Sequence, residues 1–199
     1  MSSQYERELR AVLAGNPDGV NAVTRSCTIA EKTKAMLVID KPFLVTRAAG
    51  SGMEGSGDLL ALRGDLCFPI EVKTTKSEKL YLSGRTMEQY LAMLREGQKC
   101  RLMPLYAHRR KGVRGDSWRI FRVDVGNLNG KLRLLSRRIP PLPLNRNGTP
   151  FLDWKQGMPL HEFIALICRP ESKSQTRMIP LEFLTESGGL MLRKEGETI

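Results

Sequence analysis

Apolar positions in the first 125 residues recur at two periods, one helical and one alternating. "QYERELRAVLAG" (4–15) puts Tyr5, Leu9, Val12 and Leu13 on one stripe at helical spacing and ends on Gly15, so it predicts a helix. The following "NPDG" is expected to break the chain. "CTIAEKTKAMLVI" (27–39) predicts a second helix with Ile29, Thr33, Met36 and Leu37 as its stripe, closed by "DKP". "FLVTR" (43–47) reads as a short strand, followed by the glycine-rich "AAGSGMEGSG". "DLLAL" (58–62) and "LCFPIEVK" (66–73) flank "RGD" as a hairpin. "TMEQYLAMLREG" (86–97) predicts a helix, and "RLMPLYAH" and "SWRIFRVDV" a strand pair around the basic turn "RRKGVRGD".

The hairpin carries the chemistry. If Leu62 pairs with Cys67 across the turn, Leu60 faces Pro69 and Asp58 faces Glu71. Leu59, Ala61, Phe68, Ile70 and Val72 make both faces largely apolar, which predicts a covered strand. Two opposed carboxylates there call for a cation, and oxygen ligands suit Mg²⁺, with Mn²⁺ as a substitute. Lys73 follows Glu71 by two and shares its face, placed to orient or help deprotonate an attacking water or to neutralise charge on a phosphate. The competing readings are an exposed Glu–Lys ion pair and an aspartate that merely caps a turn.

Charge narrows the partner. The net charge is +11, with clusters in "HRRKGVR" (108–114) and "LSRRI" (135–139), the footprint of a polyanion binder. The four cysteines form no CxxC and only two histidines exist, so reduced thiols are expected rather than a zinc site. No apolar run approaches the ~20 residues of a membrane span, and the expected location is cytoplasmic.

Asp58 … Glu71-Val72-Lys73 resembles the PD-(D/E)xK nuclease signature. "YEREL" (5–9), "FLVTRAAGSG" (43–52), "DLLAL" (58–62), "FPIEVKTTK" (68–76) and "LYLSG" (80–84) resemble, in order and content, the archaeal Holliday junction resolvase family. The resemblance implies an α/β, restriction-endonuclease-like fold, a mixed sheet flanked by helices. It further implies a homodimer that nicks four-way junction DNA in pairs with Mg²⁺. It makes Asp58, Glu71 and the Val72 carbonyl metal ligands and Lys73 the catalytic lysine. Ser51 would be a loop serine beside the scissile phosphate and Arg47 a phosphate contact.

The chain departs from that pattern in two places: some twenty extra residues between "EREL" and "FLVTR", and an enlarged loop between Ser51 and Asp58. The first leaves the N-terminal catalytic glutamate open. Glu31 has the better spacing to Arg47; Glu6 has the motif and lies on the flank of its helix's apolar stripe, which favours it. Arg7, Arg109, Arg110, Lys111 and Arg114 are candidate DNA contacts. Trp118 and Phe121 read as core or dimer contacts rather than base-stacking groups, and Gln89 either leans toward the site or, on the safer reading, packs its helix face with Tyr90 and Leu94.

The expected organisation is a nuclease core over 1–125 and a C-terminal extension over 126–199. There "RRIPPLPLNRNGTP" reads as an arm or linker, "MPLHEFIALICR" as a helix and "MIPLEFLTESGGLMLRKE" as short strands. Two rival functions stand beside the resolvase: a PD-(D/E)xK nuclease for another DNA substrate, and a non-catalytic junction-binding module.

Overall fold

A computed structural model describes residues 4–48, 55 and 57–169. Helix α1 (Gln4–Leu13) buries Leu9, Val12 and Leu13, the stripe its periodicity predicts. "NPDG" starts an element instead of only ending one: the Asn16 side chain accepts from the Gly19 amide, and Pro17 opens helix α2 (Pro17–Val23). Both residues suit a helix start, since the cap satisfies a free N–H and proline lacks one.

Helix α3 (Ile29–Asp40) forms as expected but turns a different face inward. It buries Ala35 and Val38, while Ile29 is 88% exposed and Leu37 39%. Positions 35 to 39 are all apolar, so the helical period is blurred there and the pattern alone could not fix the buried face.

Six strands form one mixed sheet in the order β1-β2-β3-β5-β6-β8. β1 (Leu44–Arg47), β2 (Leu59–Arg63) and β3 (Leu66–Thr75) run antiparallel in sequence. The β2–β3 register is the predicted one, with Leu62 opposite Cys67 and Leu60 opposite Pro69. β3 then pairs in parallel with β5 (Leu105–Arg110), and α4 (Arg85–Cys100) supplies the crossover such a pair requires. β6 (Trp118–Arg122) and the two-residue β8 (Met158–Pro159) complete the sheet antiparallel.

Strand alternation sorts the two faces. Phe68, Ile70, Leu105, Ala107, Trp118 and Ile120 share one, buried against α1 and the Phe43 and Phe163 rings. Glu71, Lys73, Tyr106 and His108 share the other, under α4, where the Tyr90 and Tyr106 rings lie 6.5 Å apart.

Residues 126–169 belong to the same compact unit as 1–125. Helix α5 (Gly130–Ser136), which the pattern did not single out, leads into the proline-rich arm, whose Pro140 and Leu142 bond to the backbone of Arg122. Strand β7 (Phe151–Asp153) pairs with β4 (Lys79–Tyr81), stacking Phe151 on Tyr81 at 5.2 Å. Helix α6 (Leu160–Ile167) packs on α3. The strands expected over 178–195 lie outside the described residues.

Candidate active site

β3 outruns β2. The ladder between them ends at the Leu59–Ile70 pair, and β3 continues five residues further with only β5 at its side. Asp58 sits where β2 gives out. Its amide donates to the Ile70 carbonyl at 2.8 Å, and its carboxylate accepts from the Val72 amide at 2.8 Å. It therefore does not oppose Glu71 inside the ladder, as the register suggested; it reaches past it along the open edge of β3. Gly57 allows this approach, because a Cβ there would stand 2.6 Å from the Ile70 carbonyl oxygen and its φ is +71°.

Glu71 is 4% exposed, and its Oε1 accepts from Lys73 Nζ at 2.7 Å. The same ammonium donates to Gln89 Oε1 at 2.9 Å, so the α4 glutamine does more than pack. Of the two readings the sequence offered for Gln89, packing beside Tyr90 and Leu94 or leaning toward the site, its bond to Lys73 from one turn into α4 matches the second.

Glu6 reaches the cluster from α1, its carboxylate 3.9 Å from Arg47 Nε on β1. Burial, the like charge of Asp58 and the nearby Glu6 hold Glu71 above the usual carboxylate range against the pull of Lys73. Asp58 is likewise raised, by burial first and by Glu6, against the Val72 amide. Asp58 and Glu71 thus lie beside the Lys73 ammonium, and Glu6 beside the half-exposed Arg47 guanidinium.

The other candidates lie elsewhere. Glu31 closes a capping box, accepting from the Thr28 amide at 2.8 Å, and that bond lowers its pKa. Glu8, on the opposite flank of α1 from Glu6, accepts from Arg109 Nε and Trp118 Nε1, both at 2.8 Å. Arg109 also lies over the Tyr5 ring, and Arg110 pairs with Glu78 at 3.4 Å, so both cations are engaged within the chain. Arg7, Lys111 and Arg114 are exposed. Trp118 and Phe121 are wholly buried, as expected. Ser51 lies outside the described residues.

Two further polar groups close the site from β5. Tyr106 is paired with Glu71 across the parallel ladder, and its buried hydroxyl has no partner among the described residues. Thr75 donates its hydroxyl to the Ser77 carbonyl, so His108 Nε2, 3.1 Å away, must be the donor to Thr75. Among the described residues His108 Nδ1 is then an unpartnered lone pair, and burial beside Arg110 pushes this histidine down to about 4. Tyr106 drew no notice in the sequence because its neighbours are apolar, and His108 was read only as the start of the basic "HRRKGVR" cluster.

The donor set fits a hard divalent cation. Two carboxylates with excess negative charge converge where Val72 points its N–H, and hence its carbonyl, off the open strand edge. Among the described residues no three His, Cys, Asp or Glu side chains form a closed cage. Mg²⁺ suits that sparse arrangement, since it keeps several waters and takes one or two carboxylates plus substrate oxygens.

The family model for archaeal Holliday junction resolvases (Hjc) matches residues 28–132. That span includes Asp58, Glu71, Lys73 and Glu31, and leaves Glu6 outside. Among solved structures, Hjc from Archaeoglobus fulgidus, a Holliday junction resolvase from an archaeal hyperthermophile, is 20% identical with a TM-score of 0.41. The match covers 61% of this chain and 86% of that one. No curated protein matches the chain. Among the described residues, no helix is long and apolar enough to cross a membrane.

Proposed function

The chain belongs to the archaeal Holliday junction resolvase family, and from that premise we propose that it is a Mg²⁺-dependent endodeoxyribonuclease that resolves four-way junctions by paired nicks as a homodimer. The observation that carries the reading is that Asp58, Glu71 and Lys73 lie together at the open edge of β3, with Glu6 near enough to raise both acids. A buried acid cluster short of compensating charge is a poor structural device and a good cation site.

Asp58, Glu71 and the Val72 carbonyl would hold Mg²⁺, with Glu6 supporting from α1. When bound, the ion lowers the pKa of water and stabilises negative charge on phosphoryl oxygens. Lys73 stands beside that position, held there by Glu71 and Gln89, where its ammonium can orient the nucleophile and offset charge developing at phosphorus. Gln89 acts through Lys73 as a positioning residue. Arg47, half exposed beside Glu6, suits the scissile phosphate, and Ser51 in the following loop is assigned there by resemblance alone. Arg7, Lys111 and Arg114 are the exposed cations for DNA backbone; Arg109 and Arg110 would have to leave Glu8 and Glu78 to join them.

For the N-terminal glutamate we take Glu6 over Glu31, although the family span includes only Glu31. Glu31 is committed to the Thr28 cap, whereas Glu6 alters the proton affinity of both Asp58 and Glu71. Two-fold symmetry would set two such sites on opposite strands of a junction.

The test is strand cleavage with Mg²⁺ on a synthetic four-way junction, a linear duplex and a flap of matched sequence. Paired symmetric nicks confined to the junction are expected. Equal cutting of the linear duplex would make the chain a nuclease for another substrate, and junction binding without cutting would make it a binding module.

A further inference from the structure

We propose that an arginine-lined cleft at the far end of α4 is a second contact site for DNA phosphates, one that grips a duplex arm away from the cutting site. The choice of DNA as its ligand rests on the function proposed above.

The cleft has a volume of about 740 Å³, and its wall includes Arg101, Arg122, Arg133, Arg137 and Ser136. Asp124 is the one acid on that wall, and it is paired with Arg122. Arg122 is a building element: its Nε donates to the Ser136 carbonyl at 2.8 Å and the Ile139 carbonyl at 3.1 Å, drawing the end of α5 onto β6.

The other three arginines are exposed, and no ion pair joins them to an acid among the described residues. Gathering unpaired guanidiniums around one concavity raises the local positive potential, which disfavours the empty protein and favours a polyanion. Each guanidinium also offers the fork of donors that matches two phosphate oxygens.

The cleft begins where α4 ends. Arg101 follows α4 in the left-handed conformation at φ 55°, the one described non-glycine residue at positive φ. Glycine is the usual residue at such a helix end, and a side chain there costs on the order of 1 kcal/mol. Arg101 lines the cleft from that helix end.

Distance makes one duplex arm a fitting occupant. Gln89 touches the Lys73 site and Arg101 lies twelve residues along, roughly 18 Å at helical rise. That is about five base-pair steps at 3.4 Å. Arg133, Ser136 and Arg137 lie beyond the span the family model matches, so this cleft is partly built by the chain's own C-terminal segment.

The test is junction binding without divalent cation across a salt series, comparing wild type, Arg133→Gln and the triple variant Arg101→Gln/Arg133→Gln/Arg137→Gln. Each lost phosphate contact should reduce the slope of log K against log salt by about 0.9, so the single variant loses about one and the triple about two to three. Nicking at saturating junction should be unchanged. Unaltered slope and affinity in a triple variant that melts like wild type would overturn the proposal. So would stabilisation of wild type by millimolar inorganic phosphate, lost in the triple variant without any effect on junction binding, which would mark a small-anion site. If the triple variant binds more weakly but no protein nicks, the cleft stands and the nuclease reading falls; normal nicking with unaltered binding gives the reverse.

Discussion

Asp116 and Glu71 are both buried acids of one fold, each bonded at 2.7 Å to a basic side chain. Asp116 is saturated. It accepts from the Trp118 amide at 2.9 Å, the His161 amide at 3.0 Å and His161 Nδ1, and lies 3.9 Å from Arg119. Among the described residues Glu71 has one donor, Lys73, and two further carboxylates near enough to raise its pKa. Burial with full donor satisfaction is what a structural acid needs; burial beside like charge makes sense when a cation or substrate completes the set. The first acid ties α6 to the β5–β6 turn, and the second has the surroundings that the proposed site requires.

Substitutions should separate the two regions. Lys73→Met is expected to lower nicking by about 10²–10⁴-fold with junction affinity held, the range for a positioned group in proton transfer. Asp116→Ala should leave the rate per folded molecule unchanged and lower stability, since buried donors left unpaired cost about 1–3 kcal/mol each. That is read by the thermal midpoint and by nicking well below it. Equal loss of activity from both changes at low temperature would erase the distinction.

Glu6→Gln against Glu31→Ala sharpens the comparison at the helix that supplies the last carboxylate. Glu6→Gln should cut the nicking rate at unchanged stability. Glu31→Ala should cost about 0.5–2 kcal/mol of stability through its cap and spare the rate.

The smallest effect concerns pH. Folding raises the pKa of Asp58, so its charge penalises the cation-free protein at neutral pH and the penalty fades as pH falls through that raised range. Asp58→Asn should therefore melt a few °C above wild type in chelator at neutral pH. The gap should close on acidification, because the wild-type carboxyl is then protonated as well. Added Mg²⁺ should raise the wild-type midpoint and leave the variant's nearly unmoved.

Much of this contrast is legible in sequence, for local reasons. The "RGD" turn and the apolar alternation around it set the β2–β3 register, which brings Asp58 to Glu71 within a fifteen-residue stretch. Residues joined by distant packing are harder. The inward face of α3 was misread because its apolar run has no clear period, and α6 decides which side is buried. Arg109 and Arg110 look like free basic charge until Glu8 and Glu78 arrive from elsewhere in the chain. Tyr106 carries no local signal at all; only the parallel β3–β5 pairing puts it beside Glu71. The return of β7 to β4 likewise needs the fold.

The most direct measurement is cleavage of a four-way junction by wild type and Glu71→Ala, with Mg²⁺ and at concentrations where both proteins saturate the DNA. The account predicts paired nicks from wild type and none from the variant, with junction binding intact. Undiminished nicking by Glu71→Ala would contradict it, and the open edge of β3 would not be where the phosphodiester is cut.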